Sequence, residues 1–430
     1  MEPREVLTLD QINLSDMEFW AKPWDEREGA FALLRRESPI SHFADPEIPA
    51  EFAAMVPNAG KGYYALTKHA HVSEASRHPE IYTSGQGATS MIDMPVEMLE
   101  FFGSMINMDN PRHARLRRIV SQAFNPRMIK SIEERIEHVA GSVIDRVCEK
   151  GGCDFVVEVA ARLPLEIICD MMGVAAADYD TVFSASNVIL SNGDPEYVPE
   201  DSDNLLAFMT AAQQLNMLMT DLADFRRANP TEDITSALVN SNVDGEALTL
   251  AEIASFFILL VVAGNETTRN AISHGLLAMT QYPEQRARWQ ADPVNIAATG
   301  VDEIVRWGSP VIWMRRTLSQ DALLGDAELK EGDRVLLFYN SANRDEDVFD
   351  DPFTFDVGRD PNPHIGFGGA GPHFCLGAHL ARQEIDVMFR QLFERLPDIV
   401  SVGEPDRLRS AFINGIKHLD CTFTPTPASG

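Results

Sequence analysis

The sequence predicts a mainly α-helical fold with a small β part. Three observations carry this expectation. From about residue 110 to residue 395, apolar residues recur at helical spacing over long segments. One segment, 249–281, is apolar on every side through its middle and therefore belongs inside a core. Only three short regions, near 60–70, 311–340 and 400–424, read as strands.

In chain order, residues 1–24 are irregular, with Pro3 and Pro23 as breaks. The stretch 25–37 is helical through Ala30, Phe31, Leu33 and Leu34. Residues 62–67 form a short strand, and a short helix ends at His78-Pro79. Residues 80–108 are loop, rich in Ser, Gly and Met. Helices follow at 111–124, 127–149, 154–172 and 177–190, with Pro111 suited to a first turn. Asn192-Gly-Asp-Pro195 marks a turn before helices at 203–227, 249–281 and 294–307. Alternation with glycine turns makes 311–340 a small sheet. After Cys375, the residues Leu380, Ile385, Met388, Phe389 and Leu392 return to helical spacing. The segment 425–430, made of Pro, Thr, Ala, Ser and Gly, reads as a disordered tail. Neither an internal repeat nor a linker divides the chain, so 1–430 is expected to be one domain.

The net charge is 36 − 65 = −29. Nucleic acids and anionic membranes recruit basic surfaces, so neither is an expected partner. Five cysteines without a CxxC pair read as free thiols in a reducing compartment. The charged N-terminus lacks the apolar core of a signal peptide. The longest apolar run, 253–263, falls short of the ~20 residues of a membrane span. A cytoplasmic monomer without a membrane span is expected.

The chemistry centres on Cys375. It closes the turn from His364 to Gly377, in which Gly366, Gly368, Gly369 and Gly371 crowd together. Such crowding means positive φ or a backbone pressed against something bulky. A thiol at a helix N-terminus is biased toward thiolate, a nucleophile or a metal ligand. An arbitrary cysteine, such as Cys169 on its apolar helix, is more often a small buried side chain.

Gly371, His373, Cys375 and Gly377 resemble in type and spacing the haem-binding signature of the cytochrome P450 family. Phe367 lies eight residues before the cysteine, where seven is common, so the turn holds one extra residue. Some actinobacterial lipid- and sterol-oxidising members share this feature. Three further stretches extend the resemblance. Ala263-Gly-Asn-Glu-Thr-Thr268 resembles the locally opened distal helix of the family. There Ala263 would lie against haem, and Glu266 and Thr267 would relay protons during oxygen activation. The bland alternatives are a Thr267 hydroxyl bonded back to the Ala263 carbonyl and a surface Glu266–Arg269 pair. Glu303-Ile-Val-Arg306 alone is a common helical ion pair; with Arg359 the resemblance makes it a brace for the cysteine turn. Asp109-Asn-Pro-Arg-His113 with Arg117 could be a basic helix face. The resemblance assigns His113, Arg117, Arg316 and His373 to the haem propionates, and Phe367 and Gly371 to packing on the cofactor.

The resemblance implies the family's triangular helical prism, with a long central helix over haem and minor sheets. It implies haem b on a Cys375 thiolate, and O2 and NAD(P)H-derived electrons as co-substrates. Electrons would arrive through a ferredoxin and its reductase, because no flavin or iron–sulfur motif is present. Arg112, Arg115, Arg117, Arg118, Arg127 and Lys130 form a sequence cluster that could dock an acidic donor. Substrate contacts would come from Met91, Ile92, Met94, Ile189, Phe208, Ile258, Val262, Val311, Ile312, Trp313 and Phe412. They are apolar, and each could instead simply fill core. The subgroup it resembles attacks the chain ends of methyl-branched fatty acids, isoprenoid lipids and sterol side chains. The alternatives are a hydroxylase of small terpenoids or secondary metabolites, and a non-catalytic haem sensor, which would not need Glu266-Thr267. Peroxide-driven members usually lose that pair, and a cysteine hydrolase would need a triad that His373 is badly placed to serve.

Overall fold

The computed structural model describes residues 3–47, 56–94, 99, 105–123, 126–191, 194–199, 202–241 and 245–429, with backbone only at 126–129. Asn192 and Gly193 of the expected turn, part of the 80–108 loop, and Gly430 lie outside these residues. The chain groups into two compact units, one of Met1–Ala114, Val305–Leu376 and Arg409–Asn414, the other of Arg115–Ile304, Gly377–Leu408 and Gly415–Gly430.

The first unit is built on a five-stranded sheet. Its order is Ile40–Phe43, Tyr63–Leu66, Arg334–Phe338, Trp313–Leu318 and Tyr82–Thr83. Tyr63–Leu66 and Arg334–Phe338 run parallel, and the other neighbours antiparallel. Arg334–Phe338 is buried at every position, because both faces of the sheet are covered. Leu336 and Phe338 pack with Trp20, Phe31 and Leu34 on one side. Val335 and Leu337 pack with Val72, Ala75 and Tyr339 on the other, as strand alternation requires. The helix Trp24–Glu37 carries Asp25 and Glu26 in its first turn and Arg35 and Arg36 in its last, which complements its dipole.

The second unit is helical. The stretch read as one helix over 154–172 is divided: the strand Gly152–Asp154, a π-wound turn Val156–Ala160, then the helix Arg162–Met172. Pro164 explains the break, since it has no N–H to offer the Ala160 carbonyl. The long helix begins on a capping box of Thr249 and Glu252 and runs as Leu250–Leu260, a π turn Val261–Asn265, and Glu266–Gln281. The remaining major helices are Pro126–Asp145, Tyr179–Leu190, Asn204–Ala228 and Ala378–Arg395. Short helices Ile234–Val239 and Pro283–Ala291 went unread in the sequence, as did the strand Ile40–Phe43 in the first unit. Gly152–Asp154 pairs with Asp420–Thr422, which pairs with Val400–Ser401.

Two expectations change. Residues 425–429 are not a loose tail: Thr426 N–H donates to the Cys148 carbonyl at 2.9 Å and Ser429 N–H to Asp145 Oδ1 at 2.8 Å. The 32-residue helical run Leu250–Gln281 is long and apolar enough to cross a membrane, although 253–263 alone was too short. Within its unit that run buries Glu266, Arg269, Asn270 and Ser273 on one segment, the composition of a core helix.

Candidate active site

In the first unit, the Cys375 turn is shaped by its own backbone. Gly368 N–H donates to Ile365 O at 2.9 Å, Phe374 N–H to Gly371 O at 3.2 Å, and Cys375 N–H to Phe367 O at 2.9 Å. The last bond closes the turn between Cys375 and Phe367, whose ring lies 5.8 Å from that of His364. Gly371 has φ +156°, and a Cβ there would come 2.1 Å from the Ser76 carbonyl oxygen. The glycine is thus demanded by the helix His69–Arg77 pressing on the turn, and not by a flat ligand alone. Cys375 is exposed, whereas Cys148, Cys169 and Cys421 are buried. It precedes its helix rather than opening it: Gly377 is the N-cap and Ala378 the first helical residue.

The His113 and His373 rings lie against each other, tilted by 37° with centroids 4.3 Å apart. His373 Nε2 lies 3.2 Å from Ser84 Oγ. The Asp109 carbonyl takes the His113 N–H at 2.9 Å, and its carboxylate takes the Ser84 and Gly85 N–H groups, each at 2.8 Å. Arg316 is buried on Trp313–Leu318 and donates to the Arg315 carbonyl at 2.7 Å. Burial lowers its pKa, opposed by Tyr339 and Asp109. Among the described residues no carboxylate forms an ion pair with Arg316, so its guanidinium fits an anionic ligand group. Arg306 donates to the carbonyls of Asn343 (3.0 Å), Pro352 (2.9 Å) and Thr354 (3.1 Å). Arg359 reaches the same Thr354 carbonyl at 3.0 Å. The two arginines thus converge on one strip of backbone. Glu303, on Pro293–Gly308, is fully buried in the second unit.

In the second unit, Arg117 is half-buried on Arg112–Ala123. On the long helix, Thr267 Oγ1 donates to the Ala263 carbonyl at 2.5 Å, the back-bond of the bland alternative. Glu266 pairs with Arg269, but both are buried, so the expected surface pair is a core pair. Asn270 Nδ2 donates to Glu266 Oε1 at 2.8 Å, Arg269 Nη1 to Asn187 Oδ1 at 2.9 Å, and Ile416 N–H to Asn270 Oδ1 at 2.9 Å. A carboxylate is therefore fixed beside a hydroxyl at the end of a π turn, a type of irregularity that recurs at functional sites. Ala263 is exposed and Thr267 half-buried. Gly264 is required by close packing, since a Cβ would meet Ile168 Cδ1 at 2.7 Å.

The apolar candidates divide. Ile312 and Trp313 are core, with Trp313 Nε1 donating to Ala411 O at 2.8 Å and its ring 5.0 Å from Phe412. Ile258 is buried, while Met91, Ile92, Met94, Ile189, Phe208, Val262, Val311 and Phe412 are half-buried. The sequence reading missed what holds the methionine loop. Buried Arg315 pairs with buried Asp93 and donates to Ile92 O at 2.6 Å, and Arg334 donates to Met91 O at 3.1 Å. Burial, largely, brings the Arg315 pKa to about 10 against the pull of Asp93. The available signal was Arg315-Arg316: adjacent strand residues face opposite ways, so both cannot face solvent on a one-sided sheet. Of the basic cluster, Arg115 pairs with Glu252 (2.8 Å) and Arg118 with Glu246 (3.1 Å), which neutralises them as a docking patch. The Arg127 side chain lies outside the described residues.

The family profile described as Cytochrome P450 matches residues 59–397. A methyl-branched lipid omega-hydroxylase of Mycobacterium tuberculosis is 50% identical over 425 residues, covering 98% of this chain and 96% of the relative. A steroid C26-monooxygenase of Mycolicibacterium smegmatis is 40% identical, covering 91% and 90%. A solved cytochrome P450 of Mycobacterium marinum in complex with pseudoionone superposes with a TM-score of 0.90 at 41% identity, covering 98% and 100%.

Proposed function

The chain belongs to the cytochrome P450 family of monooxygenases, and on that premise we propose that it hydroxylates the chain ends of methyl-branched lipids. The observation that carries this reading is the half-identical, near-full-length match to methyl-branched lipid omega-hydroxylases. The half-buried loop residues Met91, Ile92 and Met94 support it, since methionine adapts to flexible apolar chains. Sterol side chains are the next substrates in line, and small terpenoid ketones form a second reading that the pseudoionone complex of the M. marinum relative favours.

The residues present fit haem: an exposed thiol in a fixed turn, and a buried arginine without a carboxylate partner among the described residues. Bound through Cys375, haem supplies oxygen activation and the thiolate's electron push. In this reading His113, Arg117, Arg316 and His373 hold the propionates, and Ala263, Phe367 and Gly371 pack against the macrocycle. Arg306 and Arg359 stiffen the Asp350–Thr354 backbone; a place for Glu303 in this brace is what the family resemblance implies. Glu266 receives protons, and Thr267, released from the Ala263 carbonyl, passes them on. The apolar half-buried candidates orient substrate and exclude water. A ferredoxin and its reductase deliver NAD(P)H-derived electrons to one cytoplasmic, monomeric haem domain.

The test is reconstitution with ferredoxin and reductase on a methyl-branched fatty acid, with product position read by mass spectrometry. The reduced carbonyl complex should show the red-shifted band of thiolate ligation, lost in Cys375→Ala. An imidazole-type band, or oxygen inserted only at internal carbons, would overturn the reading.

A further inference from the structure

The cysteines hold an unassigned feature. Cys153 and Cys421 are register partners on the antiparallel strands Gly152–Asp154 and Asp420–Thr422. Their sulfurs lie 3.6 Å apart although 268 positions separate them in sequence. A disulfide needs them about 1.5 Å closer, within reach of side-chain rotation when the backbones are already paired. Cys421 is buried and Cys153 half-buried, so a small oxidant meets the pair from the Cys153 side. We propose that Cys153 and Cys421 form a two-electron oxidation site at which hydrogen peroxide closes a cross-strand disulfide.

The chemistry balances with peroxide as the only co-reactant. One sulfur, as thiolate, attacks the O–O bond. That bond breaks, one oxygen stays on sulfur as a sulfenic acid, and the other leaves as hydroxide and takes up a proton to become water. The second sulfur then displaces the sulfenic oxygen, an S–S bond forms, and a second water leaves. Two thiols are oxidised and one peroxide is reduced. The contact between the two sulfurs favours a thiolate at one of them: it lowers the Cys421 pKa and raises that of Cys153. Cys148 and Cys169 are buried without a sulfur partner among the described residues, and burial pushes the Cys169 thiol up.

The bond would lock two segments that touch the long helix. Gly152–Asp154 leads into Val156–Ala160 and on to Ile168, which packs against Gly264. Asp420–Thr422 follows Ile416, whose N–H holds Asn270. Closing so long a loop should raise the thermal midpoint by about 5 °C.

The experiment treats the purified holoprotein with a few-fold excess of hydrogen peroxide, alkylates under denaturing conditions, and digests without reduction. Mass spectrometry should find one cross-linked peptide pair joining Cys153 to Cys421, lighter than the two thiol peptides by two hydrogens. Dithiothreitol should release it and return the thermal midpoint to that of the untreated protein. Cys153→Ser, at the half-buried position, should keep the fold, lose the cross-link and lose the peroxide-dependent stabilisation. Recovery of both cysteines alkylated after peroxide, or a cross-link that takes another cysteine instead, would overturn the proposal.

Discussion

At the scale of single residues, Glu384 is the most consequential group that the sequence reading passed over. It is buried on Ala378–Arg395, and its Oε1 lacks a partner among the described residues. Burial raises its pKa from 4.5 to about 8, with the Thr268 hydroxyl pulling the other way. The folded protein therefore holds this proton more tightly than the unfolded chain does. The stability it contributes is complete below about pH 4.5 and is lost as pH rises through about 8. Glu384→Gln, neutral throughout, should flatten the fall in urea-unfolding stability between pH 6 and 9 by a few kcal/mol; an unchanged slope would count against it. Glu266 carries a different expectation. Glu266→Gln keeps the shape of the Arg269 and Asn270 contacts but removes the acid. Turnover should drop about 100-fold while substrate binding, read from the haem spectrum, stays within about twofold. The contrast explains what was legible. Glu266 stands in a motif that resembles the distal helix of the family, and that resemblance, not the residue types alone, pointed to a proton path. Glu384 is an ordinary helical glutamate in sequence, and only its burial makes it special.

At the scale of elements, the long helix shows where pattern reading succeeds and stops. Its extent was legible because apolar residues persist on all sides, and the expected local opening is the π turn Val261–Asn265. The reason for Gly264 was not legible, because Ile168 comes from a helix nearly a hundred residues away in sequence. Gly264→Ala should destabilise by about 1–3 kcal/mol through the contact with Ile168 Cδ1. Ile168→Val removes that carbon, so the double variant should lose less than the sum of the single losses in denaturant unfolding, and strict additivity would remove this account of the glycine. The helix read across 154–172 failed for a reason visible in hindsight: Pro164 is helical, but the missing N–H is felt one turn earlier. Strand existence in 311–340 was legible from glycine turns, whereas the anchoring of Met91–Met94 was not. It depends on Arg315 and Arg334 reaching across more than two hundred residues of sequence.

At the scale of the molecule, charge dominates what any partner meets first. A chain of net charge −29 repels an acidic ferredoxin, and Arg115 and Arg118 are already neutralised by Glu252 and Glu246. Reduction by such a donor should therefore quicken severalfold as salt rises from about 10 to about 150 mM and the screening length falls from about 30 to about 8 Å. Stopped-flow reduction checks this; a rate that falls with salt would reveal a basic face among residues other than these two.

The buried Glu266–Arg269 pair has one more consequence, for the nascent chain. Leu250–Gln281 emerges from the ribosome as a stretch apolar enough to compete for the membrane-insertion machinery. Each ionised side chain near the centre of a spanning helix costs about 2.5–3.5 kcal/mol on an insertion scale. Glu266 and Arg269 together set a penalty of several kcal/mol against partitioning into lipid. The pair that orients an acid in the folded core thus also helps to steer the most apolar stretch of the chain toward folding.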